Sequence, residues 1–413
     1  MSTSTHSTAR ISMNPTVSII IPVFNKCDLT MQCLKALAEA TTKTPHEIIV
    51  VDNASSDATP KRLAEIRMSN LRVIRNETNR GFAGACNQGA AAAKGKFFLF
   101  LNNDTIPVQG WLEPLVEELR ANANVAMAGS KLLYESGQVQ HAGVAFARET
   151  RSPFHPHRLL RMDDPRVNVR RELQAVTAAC VLIRPKAFQD CGGFKEDYRN
   201  GYEDLDLCLE IRKRGGVIVY QPKSIVIHLE SQTPGRMKFD NENRALFFSR
   251  WNDTILADED AYYFDGGMRI IGRKEANSEE ARLTRFASDA EKRQWSVVAQ
   301  CQRLAAARKF DEAKQALSAV DSWPADAAVR RWAGALCQHF NLPEVAAKHY
   351  QAALQLSNTP TLRAQTDFAP AAGIAPAKWE AMARAGFRAL KNGDLVAAQT
   401  ALETALLRGA PPN

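Results

Sequence analysis

Val17-Ser18-Ile19-Ile20-Ile21-Pro22-Val23-Phe24-Asn25 is the stretch on which the reading of this chain turns. It is a nearly unbroken β-branched run without polar alternation, the pattern of a strand buried on both faces, as in sheets covered by helices on each side. The sequence that follows keeps this rhythm. Thr30 to Ala40 reads as a helix, and Glu47-Ile48-Ile49-Val50-Val51-Asp52 as a second strand ending in the polar cluster Asn53-Ala54-Ser55-Ser56-Asp57. A helix from Thr59 to Arg67, a short strand Leu71-Arg72-Val73-Ile74, a small-residue helix from Gly84 to Ala93 and a buried strand from Lys96 to Leu101 come next. Strands alternating with helices predict parallel pairing in an α/β layered domain. Ligands of such sheets bind beyond the carboxyl ends of the strands. That rule selects three loops: 52–57, 79–84 and 102–105.

Beyond about residue 130 the pattern is mixed. Gln174 to Ile183 reads as a strand, Pro185 to Asp190 as a short helix, and Gly192-Gly193 as a turn. Leu205 to Arg214 is a helix stopped by Gly215-Gly216, followed by short strands Val217 to Tyr220 and Ser224 to His228 and an amphipathic helix Asn243 to Leu256. From Arg293 strands disappear and alanine becomes dense. Phe310-Asp311-Glu312-Ala313, with Leu317 and Val320, is echoed by Leu342 to Ala346 with Tyr350 and Ala353; a third copy starts at Gly393-Asp394, with Ala398, Leu402 and Ala405. Repeats near 34 residues with small residues between large apolar ones resemble tetratricopeptide helix pairs; an ordinary helical bundle is the alternative. The predicted division is a disordered tail over 1–14, an α/β domain over 15–256, a linker over 257–292 and an all-α helical region over 293–413.

Of the 413 residues, 45% are hydrophobic and 24% charged, which excludes a disordered or fibrous chain. No apolar run approaches the roughly 18–20 residues of a membrane span, and the Ser/Thr-rich first 14 residues lack the apolar core of a secretion signal. The formal charge is +8, but the basic residues are scattered apart from clusters at 166–171 and 212–214. An anionic small substrate or a weak preference for a membrane surface accounts for the sign; nucleic acid is not an expected partner. The eight cysteines form no C-x-x-C pair, so reduced thiols of a cytoplasmic protein are expected rather than a zinc ribbon.

Asn102-Asn103-Asp104 follows a buried strand. A carboxylate beside amide oxygens there can hold a hard divalent cation, Mg²⁺ or Mn²⁺; a turn with Asp104 as a helix N-cap is the other reading. Gly201-Tyr202-Glu203-Asp204-Leu205-Asp206 opens a helix. The helix dipole alone would account for its acids, whereas the chemical reading makes one of them a general base toward an acceptor hydroxyl. His228 ends a strand; it is either a structural histidine or a neutral imidazole completing the cation's ligands. Asn79-Arg80-Gly81-Phe82-Ala83-Gly84-Ala85-Cys86-Asn87 leads a glycine-containing loop into a helix, a place suited to phosphate. It lacks the P-loop Gly-Lys-Ser/Thr and the dinucleotide spacing, which argues against a kinase or a dehydrogenase.

Val17 to Asn25, Val51 to Asp57, Asn79 to Ala83 and Leu101 to Asp104 together resemble glycosyltransferase family 2. Thr177-Ala178-Ala179-Cys180, Gly192-Gly193-Phe194 and Tyr202 to Asp206 continue the resemblance in the same order. It covers about residues 15–256 and is nearest to the rhamnosyltransferase-like branch. It implies a GT-A (Rossmann-like) mixed α/β sheet, a UDP- or dTDP-linked sugar donor, inverting transfer to a glycan or protein hydroxyl, and Mg²⁺ or Mn²⁺. Carried over by position, Pro22 and Asn25 would line the nucleotide pocket, Asp52 with Asn53 would meet the base or ribose, and Asn79 and Gly81 would border nucleotide and sugar. Asn102 and Asn103 would flank Asp104, the metal-binding acid; Asp204, with Glu203 beside it, would be the catalytic base; His228 would touch metal or diphosphate. Asn102 departs from the family's Asp-x-Asp pattern by one negative ligand, which should weaken cation binding. The expected location is cytoplasmic or peripheral at the inner face of a membrane. The helical repeats would bind a protein acceptor or partner. The competing reading is a non-catalytic nucleotide-sugar-binding scaffold; a nucleotidyltransferase is disfavoured because the Gly-rich signature with a catalytic Arg or Lys is missing near the first strand.

Overall fold

A computed structural model describes residues 15–40, 42–229, 236–273, 281–318 and 322–356. The tail over 1–14 and the third repeat copy around 393–405 lie outside them. The chain divides into two compact units, one of residues up to 147 plus 151–255, the other of 148–150 plus 256 onward.

The first unit runs β1 (Val17–Val23), α1 (Cys27–Glu39), β2 (His46–Asp52), α2 (Thr59–Glu65), β3 (Leu71–Arg75), α3 (Gly81–Ala92), β4 (Phe97–Leu101), β5 (Thr105–Pro107), α4 (Leu112–Ala121), β6 (Val125–Leu133), β7 (Val139–His141), β8 (Ala145–Phe146), β9 (Pro153–Phe154), β10 (Arg171–Leu173), β11 (Cys180–Ile183), α5 (Pro185–Asp190), α6 (Glu203–Lys213), β12 (Val217–His228) and α7 (Asp240–Trp251). The main sheet has the order β10-β12-β6-β11-β4-β1-β2-β3, with β5 on β12 and β7 on β6. β1 pairs in parallel with β2 and β4, and β2 with β3. β11 runs antiparallel to both β4 and β6, and β12 is parallel to β6. The sheet is therefore mixed, as the resemblance implied, not the all-parallel sheet that the strand–helix rhythm alone predicted. β1, β2, β4, β6 and β12 all point one way, so their carboxyl ends share an edge, and the start of the reversed β11 joins them.

Apolar strands make this frame. Ile19, Ile20, Ile21, Ile48, Ile49, Val50, Leu99, Phe100 and Leu101 are all at most 1% exposed, and full burial of one such side chain is worth about 1.5–3 kcal/mol. Several sequence expectations shift. The strand expected over 174–183 is confined to Cys180–Ile183, with β10 ending at Leu173. The two strands expected between 217 and 228 are one strand with an irregularity between Gln221 and Ile225. The helix expected from Asn243 starts and ends earlier, at Asp240 and Trp251.

The second unit holds α8 (Glu259–Asp265), the antiparallel hairpin of β13 (Met268–Arg273) and β14 (Ala281–Arg285), and the helices α9 (Asp289–Ala306), α10 (Phe310–Ser318), α11 (Ala327–His339) and α12 (Pro343–Leu356). The range 257–292, expected as a linker, thus carries a helix and a hairpin. α9 packs on α10 and α11 on α12, around Trp295, Val298, Cys301, Trp332, Leu336 and Tyr350. The repeat residues Ala313, Leu317, Ala346, Tyr350 and Ala353 are buried. Gly334 lies against the Tyr350 ring so closely that a Cβ there would come within 2.7 Å of it.

Candidate active site

The candidate site is assembled at the carboxyl edge of the first unit's sheet. Loops leaving β1, β2, β3 and β4 meet there, and α1, α2, α3 and α6 begin there, so their N-termini direct free N–H groups and positive dipole ends toward it. Five of the ten non-glycine residues with positive φ among the described residues lie in these loops or just ahead of α6: Asn25, Lys26, Ala54, Asn200 and Tyr202. Such backbone costs about 1–3 kcal/mol per residue and persists where its surroundings enforce it.

On the β1–β3 side the polar residues chiefly hold one another. Asn25 Oδ1 accepts from the Ser56 N–H at 2.8 Å and its own N–H donates to Ser55 Oγ at 2.8 Å, clamping the β1 and β2 loops. Pro22, just before, is half-buried. Asp52 is 1% exposed, accepts from the Ser55 N–H at 2.9 Å and is ion-paired with Arg75. Asn53 donates to Asn79 Oδ1 at 2.7 Å and to the Gly81 carbonyl at 3.0 Å, and accepts from Asn76 Nδ2 at 3.0 Å and the Arg80 N–H at 2.9 Å. Asn79 and Gly81 stand exposed at the mouth of α3. Farther along that helix, Asn87 exchanges two hydrogen bonds of 2.9 Å with the Phe194 backbone. Gly193 makes this possible: its φ is +75° and a Cβ there would come within 2.5 Å of Asn87 Oδ1.

The β4–β12 side is built differently. β5 pairs with the end of β12, bringing Thr105 opposite His228. Asp104 Oδ1 lies 3.2 Å from His228 Nε2, and Asn102 Nδ2 approaches the same nitrogen at 3.4 Å. Asn102 Oδ1 is buried without a hydrogen-bond partner among the described residues. Asn103 points away and donates to Thr30 Oγ1 at 2.9 Å. Adjacent ligands of an octahedral ion at about 2.1 Å stand about 3 Å apart, so the separation of Asp104 and His228, with the idle Asn102 oxygen beside them, fits a shared Mg²⁺ or Mn²⁺.

At the start of α6, three acids divide their work. Asp206, 2% exposed, accepts from Tyr198 Oη at 2.9 Å and Trp251 Nε1 at 2.7 Å and pairs with Arg250 at 2.7 Å, tying α6 to α7. Buried Glu203 takes the Gly201 N–H at 2.6 Å. Asp204 is the least buried of the three. Its oxygens accept from the Leu205 N–H at 2.8 Å and the Ala178 N–H at 3.1 Å. The next residue, Ala179, accepts through its carbonyl from the Asn102 N–H at 3.0 Å. Neighbouring Cα atoms are about 3.8 Å apart, so one dipeptide brings Asp204 and the 102–104 loop to the same stretch of edge.

Residues 18–190 match the model of Glycosyl transferase family 2. Over that stretch the chain is similar to the family. The Uncharacterized protein y4gI of Sinorhizobium fredii is 31% identical over 242 residues, 56% of this chain and 26% of that protein. The O-antigen biosynthesis protein RfbC of Myxococcus xanthus is 29% identical over 260 residues, 60% of this chain and 20% of its own length. This chain thus spans about a quarter or less of these curated relatives. Among solved structures, GalNAc-T7 with UDP, GalNAc and Mn²⁺ superposes with a TM-score of 0.47 at 17% identity, covering 62% of this chain and 51% of that one. Within the matched residues lie the loops of Asn25, Asp52, Asn79 and Asp104; Asp204 and His228 follow them. Sequence reasoning overlooked Gln140, which touches His228, because β7 is three residues long and shows no periodicity. It also overlooked Arg75, the partner of Asp52, an ordinary charge at a strand end.

Proposed function

We propose that the first unit is an inverting glycosyltransferase moving a sugar from a UDP- or dTDP-linked donor to a hydroxyl of a glycan or a protein. The observation that carries this reading is the Ala178-Ala179 bridge, hydrogen-bonded to Asp204 on one side and to Asn102 on the other. It supports a base and a leaving-group site facing one substrate position.

Asp204 is the base. Its carboxylate is accessible and oriented by two backbone N–H groups, and it takes the acceptor's hydroxyl proton as that oxygen attacks the anomeric carbon. The bond from that carbon to the diphosphate oxygen breaks on the opposite face. Glu203 and Asp206 set the position of Asp204 through Gly201 and α7. Asp104, His228 and Asn102 would hold Mg²⁺ or Mn²⁺. When bound, such an ion neutralises charge on the departing diphosphate. Pro22, Asn25, Asp52, Asn53, Asn79 and Gly81 shape the nucleotide side, where helix N-termini favour the phosphates. The helices from α9 onward serve as a surface for a protein acceptor or partner. Cytoplasmic placement, with peripheral contact at a membrane, accords with the described residues having no helix long and apolar enough to cross one.

Thermal denaturation with a panel of nucleotide sugars and Mn²⁺ tests donor binding, because a ligand of the folded state raises the melting point. A UDP- or dTDP-sugar should stabilise the wild type and Asp204→Asn, and stabilise Asp104→Ala far less. Transfer and donor hydrolysis should fall by about 10²–10⁴ in Asp204→Asn. Turnover surviving in Asp204→Asn removes that residue from the chemistry. Donor binding without any turnover by the wild type establishes the scaffold reading instead.

A further inference from the structure

The imidazole of His228 is held by a side chain outside the family 2 signatures. Gln140 Nε2 donates to the His228 carbonyl at 3.1 Å, while Gln140 Oε1 lies 2.7 Å from His228 Nδ1. Gln140 is 5% exposed and His228 6% exposed, so water does not compete for either contact. The two contacts are not independent. A carbonyl oxygen only accepts, so the amide nitrogen of Gln140 must face it. Its oxygen is thereby left to face Nδ1, and an oxygen that only accepts requires Nδ1 to carry the hydrogen. In the neutral ring Nε2 then holds the lone pair, and Nε2 is the atom beside Asp104 and Asn102.

We propose that Gln140 is the positioning residue of the cation site: it fixes His228 in the Nδ1–H tautomer and aims the Nε2 lone pair at the ion. This rests on the reading of Asp104 and His228 as ligands given above. The logic is that of partners behind metal-bound histidines, whose loss typically costs about 10–100-fold in metal affinity. The position on β7 serves the same end. β7 pairs with β6 and β6 with β12, so the amide reaches across two strand pairings to hold the end of β12 without standing at the mouth of the site.

Two variants separate positioning from mere packing. Gln140→Leu keeps the volume and loses both contacts. Gln140→Glu loses the donor to the carbonyl but keeps an acceptor for Nδ1–H. Mn²⁺ titration of the full chain, followed by the electron paramagnetic resonance of free Mn²⁺, should show affinity reduced about 10–100-fold in Gln140→Leu and largely retained in Gln140→Glu. Equal losses in both variants, or wild-type affinity in Gln140→Leu, overturn the proposal. ¹⁵N-histidine spectra at alkaline pH without metal give the second measurement, with the His228 signals located by His228→Asn. The wild type should show the Nδ1–H form and Gln140→Leu a mixture; an Nε2–H form in the wild type refutes the proposal whatever the metal does. Mn²⁺ affinity unchanged in Asp104→Ala would instead discard the cation reading, and the spectra would still judge Gln140.

Discussion

Asn53 and Asn102 invite comparison. Each directly follows the end of a strand, β2 and β4, on either side of β1. Asn53 spends all its capacity on its neighbours: two donations and two acceptances bolt the β2 loop to the start of α3. Asn102 leaves its oxygen buried and idle, and its nitrogen makes one long approach to His228. Burying an unpaired polar atom is costly, of order 1–3 kcal/mol, and such a cost is kept where function needs it. The same residue type at equivalent places is scaffold in one loop and, on the proposed reading, a cation ligand in the other.

The sharpest break in this contrast is Asn53→Ala. It orphans the Arg80 N–H and the Gly81 carbonyl and should cost about 2–4 kcal/mol in urea unfolding. A loss below about 1 kcal/mol would mean the loop needs no bolt. Next comes acid sensitivity beside His228. Burial, reinforced by His155 and His228, holds His141 well below the usual imidazole range. The unfolded chain then takes up a proton that the folded one refuses, so this stability is present above about pH 6.5 and falls below it, by up to about 1.4 kcal/mol per pH unit. His141→Phe should flatten that slope; an unchanged slope assigns acid lability elsewhere. Asn102→Asp should tighten Mn²⁺ about tenfold by restoring the second charge at the site, as calorimetry can register. The smallest net effect is expected of Asn102→Ala on folding, within about 0.5 kcal/mol, because losing the one long contact to His228 is offset by relieving the unpartnered oxygen; a penalty matching that of Asn53→Ala would erase the distinction.

The amino half of the sheet is open to reading because the centres of β1 and β2 and all of β4 are buried on both faces and therefore apolar. β6 is equally buried at all nine positions and escaped notice, because Gly129, Ser130 and Lys131 interrupt its run. Each has a distant reason. Gly129 admits Val176, which a Cβ would approach to 2.8 Å. Ser130 bonds Ser224 Oγ at 2.8 Å, and Lys131 Nζ reaches Asn168 Oδ1 at 2.6 Å. Similarly, α8 reads as a charged connector, yet Asp260 is buried against Arg148 at 3.1 Å and Gln302 at 2.8 Å. At the site, Asp104 and Asp204 stood in recognisable motifs. The division of labour among Glu203, Asp204 and Asp206 did not, since it depends on Tyr198, Arg250 and Trp251 arriving from elsewhere.

The bridge at Ala178-Ala179 is made of main chain alone. Side-chain substitutions there leave its N–H and carbonyl in place, so the spacing between Asp204 and the 102–104 loop does not depend on which side chains line the walls around it. A change in chain length between Thr177 and Cys180 would reset that spacing, which makes this short segment the ruler of the sheet's carboxyl edge.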